Sequence, residues 1–273
     1  VQMLRQQSKT DKLPSLRESF RMRLEHLTPT TREMLESAAV LGFSFSDNEL
    51  RAALEWTPVS YAAGLDALLS ERLLLETLSP AQDEYTFSHH LIHEIILNEI
   101  PDERNSALQA RIAHALEQIH ADEIGFAAEI AIHYQQADMP LPAARFWLKH
   151  AQESVDLAAY DSALEATAHA ESLLGDSNLD MQEVRAQAAL QRGVIALYQG
   201  RGEAALPLLD QAVLKARPFP SLFANALSMQ AYALYTQDKN EAAYRSAAQA
   251  FDLSMTLADI PNAVRAINIQ AVS

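Results

Sequence analysis

The chain has 273 residues, enough for two domains with substantial cores, and its 49% hydrophobic and 21% charged residues are ordinary for a globular protein. It has no cysteine, which excludes disulfides and thiolate metal sites and fits a reducing cytoplasm. The net charge of −15 argues against nucleic acid as a partner, and no apolar run reaches the roughly 18 residues of a membrane span.

Residues 1–27 are predicted to be a linker and a helix that leave a preceding domain. Residues 1–13 show no clear period and lack both an initiator Met and a signal-peptide core. The end of the chain, AINIQAVS, stops inside a helical pattern. Both ends therefore look cut from a longer protein. The linker helix shows one apolar face, made by Leu16, Phe20, Leu24 and Leu27.

Residues 28–101 open with the start signals of three helices. Thr28-Pro29 and Thr57-Pro58 each combine an N-cap residue with proline at the first helical position. Ser46–Glu49 has the pattern of a capping box. The three helices are predicted to end near Gly42, Leu54 and Arg72.

A β-hairpin is predicted next, from strands at Leu73–Thr77 and Glu84–Ser88 joined by the turn-rich SPAQD. Three helices followed by a hairpin is the order of a winged helix. The second strand passes directly into a helix that Pro101 closes, because apolar residues there recur at helical spacing. Three histidines lie at this junction: His89, His90 and His93.

Helical repeats are predicted for residues 124–273, after a connecting helix at 102–123. Three segments correspond: AAYDSALEATAHAESLL, QGRGEAALPLLDQAVLKA and QDKNEAAYRSAAQAFDLS. Their spacings of 42 and 38 residues exceed the 34 of the tetratricopeptide consensus. The predicted fold is all-α with one small β-hairpin, a winged-helix domain followed by a tetratricopeptide-like α-solenoid. Small residues that would let helices approach closely recur at Ala163 and Ala170, Ala205 and Ala212, and Ala243 and Ala250.

The chain resembles the middle of STAND-type signal-transducing ATPase regulators, especially the large LuxR-type, maltose-regulon-activator-like proteins. Three parts carry the resemblance: PSLRESFRMRLEHLTPTTREMLESAAVLGFSF, FSHHLIHEIIL, and RIAHALE with IAIHY. In that family a P-loop ATPase precedes a winged helix, and tetratricopeptide-like repeats follow it. The resemblance implies a cytoplasmic transcriptional regulator whose repeats bind an inducer or a partner protein, and whose winged helix relays that event to the adjacent ATPase domain.

The sequence departs from the family in several places. Family members often have Arg where His93 stands and His where Gln109 stands. No GxxxxGK[ST] motif occurs, and no second helix-turn-helix follows the repeats. The ATPase therefore lies outside this sequence, and ATP or ADP is expected as a cofactor of the parent protein only. A passive tetratricopeptide-like scaffold without a nucleotide switch is the alternative.

The resemblance also implies a role for His89. In STAND proteins a winged-helix histidine senses the β-phosphate of ADP; His89 matches that histidine, while His90 replaces an aspartate. Phosphate sensing by His89 is thus expected in the full-length parent. A zinc pair at His89 and His93, one helical turn apart, is the weaker interpretation, because HExxH and a third ligand are absent. A helix-capping role for one histidine remains open.

Three further expectations concern DNA binding, enzymatic activity and the partner of the repeats. Residues 28–100 hold three Lys/Arg and twelve Asp/Glu, so the winged helix is expected to be a packing module that does not bind DNA. No nucleophile signature such as G-x-S-x-G occurs, so no enzymatic activity is expected. A stripe in the repeats is predicted to face a binding groove, with packing against the neighbouring pair as the alternative: Asn225, Ser228, Tyr232 and Tyr235.

Overall fold

The computed structural model describes residues 23–78, 83–120, 122–175 and 179–272. It divides into two compact units, Val1–Ile119 and His120–Ser273. Most of the predicted linker at residues 1–27 and nearly all of the SPAQD turn lie outside the described residues. Of the linker helix, the described part ends at Glu25, and Leu24 is buried.

Besides the end of the linker helix, the first unit contains five helices and three strands within its described part. The predicted caps are confirmed: the Thr28 hydroxyl accepts a hydrogen bond from the Thr31 amide at 3.1 Å. Ser46 and Glu49 form both bonds of the capping box, at 3.2 and 2.8 Å. The elements are α1 (Pro29–Leu41), β1 (Ser44–Ser46), α2 (Asp47–Leu54), α3 (Pro58–Ser70), β2 (Leu74–Leu78), β3 (Asp83–Phe87), α4 (His90–Glu99) and α5 (Asp102–His120).

The strands form an antiparallel sheet in the order β1-β3-β2. The predicted hairpin is confirmed, with Leu74 opposite Phe87, although each strand is displaced by one residue from its predicted range. The third strand, β1, is an addition to the prediction, with Ser44 opposite Thr86. The element order is that expected for a winged helix, an assignment that stays a prediction.

Ion pairs join α1 to α5 in the first unit. Glu36, whose side chain is only 7% exposed, accepts from the Nε atoms of Arg32 at 3.1 Å and Arg104 at 2.5 Å. Arg111 donates to Glu33 at 2.9 Å and to the Ser37 hydroxyl at 2.8 Å. The helix interpreted from sequence as a connector at 102–123 therefore belongs, through Ile119, to the first unit.

The second unit is a series of helices that pack in pairs: α7 with α8, α9 with α10, and α11 with α12. The first helices of these pairs also pack side by side, α9 between α7 and α11, and α11 against α13. This is the tetratricopeptide-like arrangement that the repeats predict. Its helices are α6 (Ala127–Gln136), α7 (Pro140–Asp156), α8 (Tyr160–Leu173), α9 (Leu179–Tyr198), α10 (Gly202–Ala216), α11 (Pro220–Tyr235), α12 (Asn240–Thr256) and α13 (Ile260–Val272).

Small side chains let these helices approach one another. All six predicted alanines, two each on α8, α10 and α12, have no exposed surface. Gly193 of α9 is equally constrained, because a Cβ atom there would lie 2.6 Å from the Leu209 side chain of α10. Close packing of helices requires this absence of side-chain volume.

One backbone turn recurs between the repeat helices. A residue with φ between 57° and 74° follows the ends of α6, α7, α9, α11 and α12, and the next residue donates its amide to a carbonyl five positions earlier, at 2.8–3.1 Å. This is the Schellman motif that ends a helix with a left-handed residue. The left-handed residues are Asp138, Ala158, Gly200, Asp238 and Ala258. No helix in the described part of the chain is long and apolar enough to cross a membrane.

Candidate functional site

Three clefts lie along α9, α11 and α13, one of them reaching the start of α10, and we call them the first-helix groove. The central cleft, of about 500 Å³, is lined by Tyr198, Met229, Tyr232, Tyr235, Arg265, Asn268 and Ile269. A cleft of about 770 Å³ shares Tyr198 and Tyr232 with it. A third, of about 240 Å³, includes Asn225 and Asn262. The groove therefore crosses three neighbouring helices.

The central cleft has an apolar floor and an aromatic rim. Met229 and Ile269 are each only 6% exposed, whereas the rings of Tyr198 and Tyr232 are 48% and 38% exposed. Exposed tyrosines beside buried aliphatic side chains offer both apolar contact and hydroxyl hydrogen bonds, a combination enriched where proteins bind one another.

Arg265 of α13 lies at the edge of this cleft. Its Nη1 donates to Oδ1 of Asn225 at 2.9 Å and to Oδ1 of Asn262 at 3.2 Å. Asn262 is itself oriented by Asp259, whose carboxylate accepts from its side-chain amide at 2.7 Å. Amide oxygens position the guanidinium without neutralising it, so its positive charge remains at the groove.

Three of the four residues of the predicted stripe on α11 lie along the clefts, and the fourth does not. Asn225, Tyr232 and Tyr235 line the clefts. Ser228 is fully buried, and its hydroxyl has no hydrogen-bond partner in the structure. It lies where α11 packs against its neighbours, and a side chain as short as serine's does not reach the groove surface there. Whether the other three bind a partner stays a prediction.

Several groove residues were missed by the sequence analysis because they lie outside the α11 stripe or on neighbouring helices. One signal was available: the tripeptide Ala-Leu-Tyr ends both α9 and α11, just before equivalent turns. It would have drawn attention to Tyr198, although the turns align Tyr198 with Thr236 rather than with Tyr235. The missed residues of most consequence for the central cleft are Tyr198, Met229, Arg265 and Ile269.

Each histidine of the hairpin-to-helix junction has a local contact. His89 is the N-cap of α4, and its Nδ1 accepts from the Leu91 amide at 3.0 Å while the residue remains exposed. The ring of His90 stacks on Phe43 at 3.8 Å between centroids. His93 donates from Nε2 to the Ala39 carbonyl at 2.9 Å.

The structure therefore shows a capping role for His89, and its phosphate-sensing role stays a prediction. The bond to the Ala39 carbonyl engages Nε2 of His93, and the bond from the Leu91 amide engages Nδ1 of His89. Among the described residues no group of three His, Asp or Glu side chains is placed to hold a metal.

Two of the three cations in residues 28–100 are engaged by acids. Arg51 is bonded to Asp47 and lies 4.0 Å above the Tyr61 ring, and Arg32 is paired with Glu36. The Tyr61 hydroxyl donates to Asp47 at 2.8 Å, and burial, reinforced by that bond, raises the pKa of Tyr61 above its usual value. These cations are held within the unit, which suits packing better than phosphate contact.

No protein-family model matches the chain, and no curated protein matches it. Among solved structures it is similar to aspartyl phosphate phosphatase F from Bacillus subtilis, with a TM-score of 0.51 and 13% identity over 92% of this chain and 61% of that one. A signal-transduction ATPase with numerous domains and a tetratricopeptide repeat sensor, from Pyrococcus horikoshii, gives a TM-score of 0.32 and 11% identity over 96% and 56%.

The chain thus spans about three-fifths of the length of each of these proteins. At 13% identity the first likeness shows the fold alone, which is a tetratricopeptide-like helical-repeat fold.

Proposed function

We propose that this chain is the regulatory or sensor portion of a signal-transducing protein, and that its repeats bind a partner through the first-helix groove. The observation that carries the proposal is the groove itself, where tyrosines from α9 and α11 rim an apolar floor across three helices. Helical-repeat proteins use such extended surfaces for binding. Since the groove is open along its length, it suits a segment of a partner protein better than a small inducer.

The proposal extends to the first unit. It is a winged helix that relays partner binding to an ATPase domain on its amino-terminal side, within a transcriptional regulator. The order of its helices and strands and the resemblance around FSHHLIHEIIL support this part. A partner that prefers the open arrangement of such a protein would shift its population away from the closed, ADP-bound form.

Site-specific photocrosslinking tests the groove. A photoreactive phenylalanine analogue at position 232 should crosslink a partner in cells, whereas the same analogue at position 244 should not. Tyr244 is a matched control, since it is 52% exposed and lies on α12, a second helix. With the identified partner purified, Tyr232→Ala should weaken binding about tenfold, and Tyr244→Ala should leave it unchanged. Equal crosslinking from both positions would exclude the groove.

The relay is tested in the full-length protein. His89→Ala should raise basal signalling and weaken ADP binding by about ten- to a hundredfold, the range for losing a hydrogen bond to a charged acceptor. His93→Ala is the comparison variant, since that side chain is bonded to the Ala39 carbonyl. Unchanged ADP affinity together with normal partner binding would leave the passive scaffold as the function.

A further inference from the structure

We propose that Arg265 binds a carboxylate, and that the first-helix groove takes an extended peptide in which an acidic side chain stands next to an apolar or aromatic one. This inference rests on the proposed function, since it specifies the kind of segment that the groove accepts. Its elements are the charge of Arg265, the apolar floor beside it and the length of the groove.

The bonding of Arg265 differs from that of the six arginines that pair with an acid, and among the described arginines Arg201 likewise bonds an amide oxygen, that of Gln199. Six arginines each form an ion pair with an Asp or Glu: Arg32, Arg51, Arg104, Arg111, Arg192 and Arg245. Within the described part of the chain Arg265 forms none, although the protein carries a net charge of −15. The nearby Asp259 is bonded to Asn262 instead.

The two asparagines hold the guanidinium by one nitrogen. Both bonds leave from Nη1, to Asn225 on α11 and to Asn262 on α13. A guanidinium has five N–H donors in a planar fork, so Nη2 and Nε remain to meet a carboxylate edge-on. The bond to Asn225 also fixes the side chain across the gap between two helices, which lowers the entropy that a ligand must remove on binding.

The surface next to Arg265 sets the second requirement. Met229 and Ile269 form a buried floor, and the Tyr232 and Tyr235 rings stand beside it. A carboxylate alone would leave this floor uncovered. An adjacent apolar or aromatic side chain would bury it, and the tyrosine rings favour an aromatic partner.

The length of the groove favours a peptide. Neighbouring helices pack about 10 Å apart, so a path across α9, α11 and α13 is about 20 Å long, the length of about six extended residues. The outer clefts contain Glu183 and Glu203. Those carboxylates disfavour acidic residues at the peptide ends, so one acidic residue near the middle is expected rather than an acidic run.

The test begins with a displayed library of random peptides about eight residues long, selected on the intact chain. The expected consensus is a central Asp or Glu beside Phe, Tyr, Leu or Ile. One selected peptide is then compared with its amide counterpart, Glu→Gln or Asp→Asn, by fluorescence anisotropy. Arg265→Gln should weaken the acidic peptide about tenfold and leave the amide peptide unchanged, and Arg265→Lys should recover part of the loss.

Other results separate this inference from the proposed function. If Tyr232→Ala weakens the selected peptides but Arg265→Gln acts equally on acidic and amide forms, the carboxylate role is wrong and the groove stands. If neither substitution matters, or if no peptide is enriched, both fail. Binding of phenylacetate as tightly as the selected peptide would overturn the peptide assignment. Tyr244→Ala, with circular dichroism of every variant, controls for general damage.

Discussion

In the first unit, arginines of α1 and α5 pair with Glu33 and Glu36, and large side chains such as Met34, Leu74 and Phe87 fill the core. In the second unit, alanines without exposed surface lie between neighbouring helices. The first unit is held together by large buried side chains and ion pairs, whereas the second depends on small side chains that let its helices approach closely. Substitutions that remove side-chain volume should therefore damage the first unit, and substitutions that add volume should damage the second.

Removal of volume from the first unit should have the largest effect. Leu74→Ala should lower the free energy of unfolding by about 2–5 kcal/mol, because Leu74 has no exposed surface and a cavity would remain. Chemical denaturation measures the loss, and hydrogen exchange in peptides from residues 29–100 locates it.

The adjacent residue on β2 is a matched control. Leu75 is 44% exposed, so Leu75→Ala should cost well under half as much as Leu74→Ala. Similar losses from both variants would contradict the assignment of Leu74 to the core and of Leu75 to the outer face.

Acid should destabilise the second unit through His133. Burial lowers the pKa of His133 from 6.5 to about 4 in the folded state, and only 6% of the residue is exposed. The stabilisation from keeping this ring neutral is fully present above pH 6.5. It should be lost as the pH falls towards 4, by up to about 1.4 kcal/mol per pH unit and about 3 kcal/mol in all.

A pH titration of the unfolding free energy, followed by hydrogen exchange in peptides from residues 127–136, measures this loss. His133→Gln should flatten the dependence between pH 6.5 and 4. An unchanged slope in that variant would assign the acid sensitivity to other groups.

Added volume should damage the second unit. Ala212→Leu should cost about 1–3 kcal/mol, because Ala212 has no exposed surface and close-packed helices cannot absorb a larger side chain without strain. Gln211→Leu adds the same side chain at an exposed position of the same helix and should be nearly neutral. Equal unfolding midpoints for the two variants would show that the alanine stripe does not set the helix spacing.

The smallest effect is expected for the ion pairs of the first unit. Glu36→Gln should cost about 1 kcal/mol, since Arg32 and Arg104 are 39% and 47% exposed and solvent screens their attraction to Glu36. The loss should shrink in high salt. Glu94→Gln, at an exposed position of α4, is the control, and a salt-independent loss would indicate a packing effect instead.

Local signals in the sequence were sufficient for most of the fold. Thr28, Ser46 and Thr57 start helices where their side chains predict, because a cap bonds within its own turn. Strand β1 was missed because it has three residues and forms by pairing with Thr86, about 40 positions away. No local pattern records such a distant pairing.

The candidate site was less accessible to sequence analysis for the same reason. A stripe on α11 could be found from helical spacing, but it defines only one wall of the groove. Arg265 and Tyr198 line the groove from the neighbouring helices α13 and α9, and their distance from the α11 stripe depends on how the helix pairs stack. Ser228 was misplaced because spacing along a helix does not show which part of a face its neighbours cover.

The left-handed turn that recurs from Asp138 to Ala258 gives the repeat unit a modular construction. Since the turns inside the three pairs, at Ala158, Gly200 and Asp238, have the same backbone geometry, a segment running from one of them to the next has compatible ends. Duplication of a segment of this kind would add a helix pair in register with the others. Related proteins could thus differ in the length of the binding face by whole helix pairs, while the contacts around Arg265 remained unchanged.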